Sequence, residues 1–181
     1  KITVSNYPFK RISYEESLEL YGSDKPDLRN PLIIQDCTFI FDGSDFKIFS
    51  NLILKGNKVK GIIVNDTADK PRSFFDKLNN WAREEGSAGL GYISFADNEY
   101  KGPIAKNLDN EKLKLLKLKP NQSIFFICDE LKESQLFSGK VRDKLCEDLN
   151  LLKKNSFEFC WIVDYNLVII HFLCLKEKWI H

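Results

Sequence analysis

The 181-residue chain contains no methionine, only two histidines and no CxxC pair. Because it also begins with Lys1, we expect an internal segment of a longer protein. Its five cysteines are widely spaced, so the sequence predicts no zinc ribbon and no other metal site. Several of them lie in apolar stretches, where a thiol behaves as a small hydrophobic group, and this is typical of a reducing, cytoplasmic location.

An excess of one charge and a long apolar run are also missing. The 27 Lys and Arg residues nearly balance the 26 Asp and Glu residues, giving a net charge of +1. This excludes the overall basic field of many nucleic-acid-binding proteins but leaves room for local basic patches. The longest apolar stretch, "NLVIIHFLCL" at 166–175, contains a histidine and is too short to span a bilayer, so we expect no membrane association.

Motifs of catalysis are missing as well: there is no Walker loop, GxGxxG, HExxH or GxSxG. His171 lies in an apolar segment without a nearby acidic partner, which favours a core or edge histidine over a catalytic one. Lys101, Lys106 and Arg142 could form a basic face or could be solvated side chains. We therefore predict that the chain contains no catalytic residue and no complete active site.

Hydrophobic periodicity indicates an alternation of strands and amphipathic helices. Since each helix has one apolar face, we predict an α+β fold, a two-layer sandwich with a largely antiparallel sheet and helices on one face. Trp81 falls on the apolar stripe of the helix at 72–86, so we expect it to be buried, and Ser73 with Asp76 resembles a capping box. Periodicity leaves strand and helix open between Pro31 and Leu54.

The stretch "YGSDKPDLR", from Tyr21 to Arg29, indicates a rigid turn after a helix. Ser13 with Glu16 fits a capping box that begins this helix, and Gly22 can end it in the left-handed conformation. The turn contains four charged residues that sum to zero, and they are either solvated or paired with one another. We predict a structural turn that contacts no substrate and that Arg29 braces through its planar guanidinium. The four residues are Asp24, Lys25, Asp27 and Arg29.

Six segments, in one order along nearly the whole chain, resemble bacterial-type aspartyl-tRNA synthetases of class II. The first is "YGSDKPDLR". "EEGSAGLGYISF" is similar to that family's "yGAKGLawi", from which Ser87 and Gly91 differ, and "GPIAKNL" is similar to "SPIAKFL". The remaining three, "QSIFFICDE", "LFSGKVRDKLCEDLNL" and "FEFCWIVDY", are similar to "dliFFvAD", "aLGaLRlklgkelgL" and "faFlWVvDFP".

The resemblance implies three regions. Residues 1–45 would be a flank of the catalytic domain, 46–157 an inserted GAD domain of two-layer α+β fold, and 158–181 the return into the catalytic domain. The GAD domain also occurs in the B subunit of tRNA-dependent amidotransferases, where it is a non-catalytic, tRNA-handling module. That alternative would explain the middle of the chain but neither "YGSDKPDLR" nor "FCWIVDY". A third alternative is an unrelated sandwich that binds protein partners.

The resemblance also implies an activity for the full-length parent. It would be an aspartate–tRNA ligase, a cytoplasmic homodimer that activates aspartate with ATP and Mg²⁺ and transfers it to tRNA(Asp). Whether tRNA(Asn) is also charged stays open. The motifs that hold ATP are missing here, so the segment alone should be inactive and bind no cofactor. His181 best matches a histidine that helps the family to bind aspartate.

Overall fold

The structure of the chain, a computed structural model, describes residues 2–165. Strands and helices follow one another closely, and a short 3-10 turn at Ala105–Asn107 precedes the fifth helix. The elements in chain order are β1 (Thr3–Val4), β2 (Lys10–Ser13), α1 (Tyr14–Tyr21), β3 (Ile34–Asp36), α2 (Thr38–Phe41), α3 (Lys47–Leu54), β4 (Lys58–Val64), α4 (Arg72–Glu84), β5 (Gly91–Ala96), β6 (Glu99–Lys101), α5 (Asn110–Leu115), β7 (Gln122–Asp129), α6 (Leu131–Asp148), β8 (Ser156–Phe157) and β9 (Cys160–Val163).

The centre of the fold is a five-stranded sheet with the order β3-β4-β7-β5-β6, in which every neighbouring pair is antiparallel. Strand β7 lies in the middle because it is apolar on both sides, and residues 123–127 are all buried. Its register with β4 runs from Ser123 opposite Val64 to Asp129 opposite Lys58. The predicted α+β class with a largely antiparallel sheet is confirmed.

Both faces of this sheet are covered. Phe125 and Ile127 face the long helices α4 and α6, whereas Ile124 and Phe126 face a layer made of α2, α3 and α5. The prediction of helices on one face describes the first layer only. The second layer, which we call the short-helix layer, exists because alternate residues of β7 are apolar on that side too. The stretch between Pro31 and Leu54, for which strand and helix were both open, forms β3, α2 and α3.

Both ends of α1 follow the predictions from the sequence. The Ser13 hydroxyl accepts a hydrogen bond from the Glu16 amide at 3.1 Å, and Gly22 ends α1 with φ +67°. Asp109 caps α5 through the Lys112 amide at 2.7 Å. The capping box predicted at Ser73 is wrong: α4 begins at Arg72 with Pro71 as its N-cap residue, so Ser73 already lies inside the first turn.

The two flanks of the sandwich run side by side. Strand β2 pairs with β9 in parallel, from Lys10 opposite Cys160 to Ser13 opposite Val163, and β1 pairs with β8 in the same sense. The rings of Tyr14 and Tyr165 lie 5.0 Å apart. The chain therefore enters and leaves the sandwich at one place, as insertion of one domain into another requires.

Trp81 is only partly buried, so the prediction of a buried Trp81 is wrong. Its ring stacks on Phe137 of α6 with centroids 6.0 Å apart, at the rim of the core between α4 and α6. The cause is helix geometry: Leu78 and Ala82 occupy the centre of the buried stripe, and Trp81 lies at its margin.

We expect Trp81→Ala to lower the free energy of unfolding by about 1–2 kcal/mol, because one stacked ring and part of its apolar contact area are lost. Urea denaturation of the chain measures this change. Trp81→Phe, which keeps a ring against Phe137, should lose less than half as much. Equal losses for the two variants would contradict the stacked arrangement.

Candidate functional site

The predicted turn lies against α6, and the two meet backbone to backbone. A Cβ atom on Gly22 would come within 2.4 Å of the Gly139 amide nitrogen, and one on Gly139 would come within 2.6 Å of the Gly22 carbonyl oxygen. Neither position has room for a side chain. We call this region the root: the end of α1, the turn through Leu32, and the residues of α6 that contact them.

Arg142 is the central side chain of the root and is buried. Its Nε donates a hydrogen bond to the Leu32 carbonyl at 2.7 Å, and its Nη2 donates to the carbonyls of Asp27 at 2.9 Å and Asn30 at 2.8 Å. The guanidinium carbon also lies 5.2 Å from the centre of the Tyr21 ring. Burial lowers the pKa of Arg142, although nearby acidic groups oppose this. One guanidinium thus ties three turn carbonyls to α6.

Asn30 completes the attachment from the side of the turn. It is buried, and its Nδ2 donates to the Arg142 carbonyl and to Asp143 Oδ1, both at 3.2 Å. Its side-chain oxygen accepts a hydrogen bond from the Leu32 amide at 3.1 Å. Because turn and helix each donate to the other, the buried polar groups of Asn30 are satisfied without a ligand.

The four charged residues selected from the sequence form two local pairs. Arg29 meets Asp27 through two parallel contacts, Nη2 to Oδ2 at 2.6 Å and Nε to Oδ1 at 2.9 Å. The hydrogen bond from Arg29 is the main cause that lowers the pKa of Asp27. Lys25 lies 3.7 Å from Asp24 at the surface. Within residues 2–165, the Arg29 guanidinium hydrogen-bonds to Asp27 alone, so the link to α6 is made by Arg142.

Sequence reasoning did not select Arg142 for this role. It was grouped with Lys101 and Lys106 as a basic face or as solvated, and burial at the root excludes both descriptions of Arg142. Lys101 pairs instead with Asp97 at 3.0 Å. The spacing in the sequence did indicate that Arg142 is buried: it lies three residues after Gly139 and four before Cys146, on the buried stripe of α6.

A second buried cation links α1 to the sheet. Lys60 Nζ donates to Glu19 Oε1 at 2.5 Å and to Asp36 Oδ2 at 3.3 Å, and its side chain is almost fully buried. Gln135 of α6 donates to the other Glu19 oxygen at 3.1 Å. Burial raises the pKa of Asp36, but hydrogen bonds from Thr38 and the charge of Lys60 outweigh this, and the net shift is downward. Glu19 therefore joins α1 to β4 and α6 together.

Two of the segments that resemble the synthetases, "EEGSAGLGYISF" and "GPIAKNL", meet at a groove of about 830 Å³ beside the short-helix layer. Residues 87–92 and 102–104 line it, together with Phe49 and Lys106. Gly91 allows this meeting, because a Cβ there would lie 2.5 Å from Ile104 Cδ1. The groove therefore depends on the close packing of these two loops.

Within the described range, no group of three His, Cys, Asp or Glu residues is placed to hold a metal ion, and no helix is long and apolar enough to cross a membrane. The four cysteines of this range are free thiols. Burial raises the pKa of Cys37 to about 12, so its thiol stays protonated and unreactive. His171 and His181 lie outside the described residues.

Comparisons with known proteins cover most of the chain. A family model described as "GAD domain" matches residues 49–135. Aspartate–tRNA(Asp/Asn) ligase from Paramagnetospirillum magneticum is 49% identical over 172 residues, which are 93% of this chain and 20% of that protein. The ligases of the same name from Rickettsia prowazekii and Acidiphilium cryptum are 51% and 49% identical over 90% of the chain and 28% of each relative.

The chain thus spans between a fifth and three-tenths of the length of these relatives. The similarity covers 93% of the chain and so extends well beyond the GAD match at residues 49–135, and the amidotransferase alternative is not favoured. The division at residues 46 and 157 stays a prediction. The resemblance to bacterial-type aspartyl-tRNA synthetases is confirmed: the chain matches, at about 50% identity, a segment of such ligases, and this segment contains a GAD domain.

Proposed function

We propose that the protein to which this chain belongs is an aspartate–tRNA ligase, which activates aspartate with ATP and transfers it to tRNA. The observation that carries this proposal is about 50% identity to such ligases along nine-tenths of the chain, including the turn and both flanks. Because those relatives are named for tRNA(Asp/Asn), we extend the proposal to both acceptors, tRNA(Asp) and tRNA(Asn). The full-length enzyme would be a cytoplasmic homodimer, as its family resemblance suggests.

The contribution of this segment to the full-length enzyme is structural. Strand β2 runs directly into α1, and α1 is fixed to the GAD side by Lys60, Gln135 and the glycine contact at Gly139. Since β2 also pairs with β9, the two flanks and α6 are linked through one set of contacts. We propose that the root holds the GAD domain and the catalytic flank as one body, and that Asp24, Lys25, Asp27 and Arg29 serve this purpose without contacting substrate.

ATP, Mg²⁺ and aspartate would be held mainly by other parts of the full-length protein. In residues 2–165 no group of three His, Cys, Asp or Glu residues is placed to hold a metal ion, and the buried cations Arg142 and Lys60 are satisfied by carbonyls and carboxylates of the chain itself. Mg²⁺ would neutralise phosphate charge during adenylate formation. We retain His181 as a proposed aspartate contact, to be tested by the Michaelis constant for aspartate of a His181→Ala enzyme.

The isolated chain should not form aspartyl-adenylate, because the motifs that hold ATP are missing from it. Aspartate-dependent pyrophosphate exchange, measured for the chain and for the full-length protein side by side, tests this. We expect exchange only with the full-length protein, which should also charge tRNA(Asp) and tRNA(Asn) transcripts with labelled aspartate. Exchange by the chain at a hundredth of the full-length rate, or a full-length protein inactive with aspartate, would contradict the assignment.

A further inference from the structure

One segment of the protein concentrates exposed lysines that lack acidic partners within residues 2–165. Residues 105–119 contain five lysines and two acidic residues, whereas the whole chain is almost neutral. Lys114, Lys117 and Lys119 are exposed. Among residues 2–165, no carboxylate lies within ion-pair distance of these three amines.

The sequence "KLKLLKLK" at 112–119 places these three lysines within six residues of the chain. Leu113, Leu116 and Leu118 are buried against the sheet, and the lysines between them are directed outward. Helix α5 ends at Leu115, and Lys117 takes a left-handed φ of +52°, which turns the chain back toward β7. The buried leucines hold the backbone of this short stretch. We call Lys114, Lys117 and Lys119 the lysine ridge.

The long helix α6 is charge-balanced instead. Helix α6 contains four basic and four acidic residues. Lys140 pairs with Glu85 at 2.9 Å and Lys144 with Asp148 at 2.8 Å. The ridge therefore places three lysines without acidic partners, all within six residues, on the short-helix layer.

We propose that the lysine ridge binds the phosphate backbone of the tRNA. This inference rests on the proposed function, which supplies a polyanionic substrate. Neighbouring ammonium groups without internal partners gain affinity from phosphates by releasing counterions, and they do so without reading sequence. Protein–protein interfaces are depleted in lysine, so the same chemistry favours RNA over a protein partner.

Affinity of the full-length enzyme for a tRNA(Asp) transcript, titrated between 50 and 200 mM salt, tests the ridge. The test variant carries Lys114→Gln, Lys117→Gln and Lys119→Gln, which keep chain length and remove charge. The matched control carries Lys77→Gln, Lys132→Gln and Lys154→Gln, three exposed lysines outside the ridge. Pyrophosphate exchange without tRNA, measured in parallel, reports folding and the proposed function.

We expect the ridge variant to bind tRNA about tenfold more weakly or worse at 0.1 M salt, with a slope of log K against log salt shallower by about two to three. The control and the exchange rates should match the unsubstituted enzyme. Unchanged affinity and slope in the ridge variant, or equal losses in the control, would overturn the inference while leaving the ligase assignment intact. An unsubstituted enzyme that exchanges no pyrophosphate would instead overturn the proposed function.

Discussion

Replacing Arg142 with methionine should lower the free energy of unfolding by about 3–5 kcal/mol. Arg142 gives hydrogen bonds to the carbonyls of Asp27, Asn30 and Leu32, and two of these bonds are fully buried. A buried ion pair can be replaced as a whole by apolar groups at little cost, but backbone carbonyls cannot be replaced. Removing their common donor leaves several acceptors unsatisfied. Urea denaturation of the chain, followed by tryptophan fluorescence, measures the loss.

Two further variants separate this role from charge alone. Arg142→Lys keeps the charge but cannot reach three carbonyls with a planar fork, so it should recover less than half of the loss. Arg29→Lys, in a pair that is about two-fifths exposed, should cost less than Arg142→Lys, because solvent screens the Arg29–Asp27 pair. A larger loss for Arg29→Lys than for Arg142→Lys would show that the brace predicted from the sequence at Arg29 is the important one.

Gly139→Ala should destabilise the protein by about 1–3 kcal/mol, although alanine is normally the better helix former by about 1 kcal/mol. Alanine is expected to lower the free energy of unfolding here, and not to raise it, because its Cβ would lie 2.6 Å from the Gly22 carbonyl oxygen. Because that neighbour is backbone and not a flexible side chain, α1 must move away from α6, and contacts of the root must weaken with it.

Lys132→Ala is the matched control on the same helix, since Lys132 is exposed and within residues 2–165 forms no ion pair. Its effect should stay within about 0.5 kcal/mol. Thermal or urea denaturation of the three proteins decides between the outcomes. Stabilisation by Gly139→Ala would mean that α1 and α6 are further apart than the structure has them.

Local patterns predicted the parts of the fold that depend on local interactions. Helix α1 carries its own cap at Ser13 and its own stop at Gly22, so its bounds follow from the sequence. The stretch "QSIFFICDE" fits a buried strand because it is short, apolar and bounded by Pro120 and α6, and it forms β7.

The root could not be predicted because it joins residues far apart in the chain. Arg142 meets Leu32 across 110 positions, and Lys60 meets Glu19 across 41. A charged residue on a helix is usually solvated, so only the tertiary contact shows that these two cations are buried. The short-helix layer was missed for a related reason: the apolar residues before β4 fit strand and helix equally well, and the uncovered face of β7 decides between them.

The docking of the turn on α6 is the central feature of this structure, and hydrogen–deuterium exchange in the full-length protein tests it most directly. The amides of residues 18–32 should exchange slowly in the unsubstituted protein and in Arg29→Lys, and at least tenfold faster in Arg142→Met, with the peptides of β4 and β7 unchanged. Equal protection of residues 18–32 in all three proteins would show that Arg142 does not hold the turn.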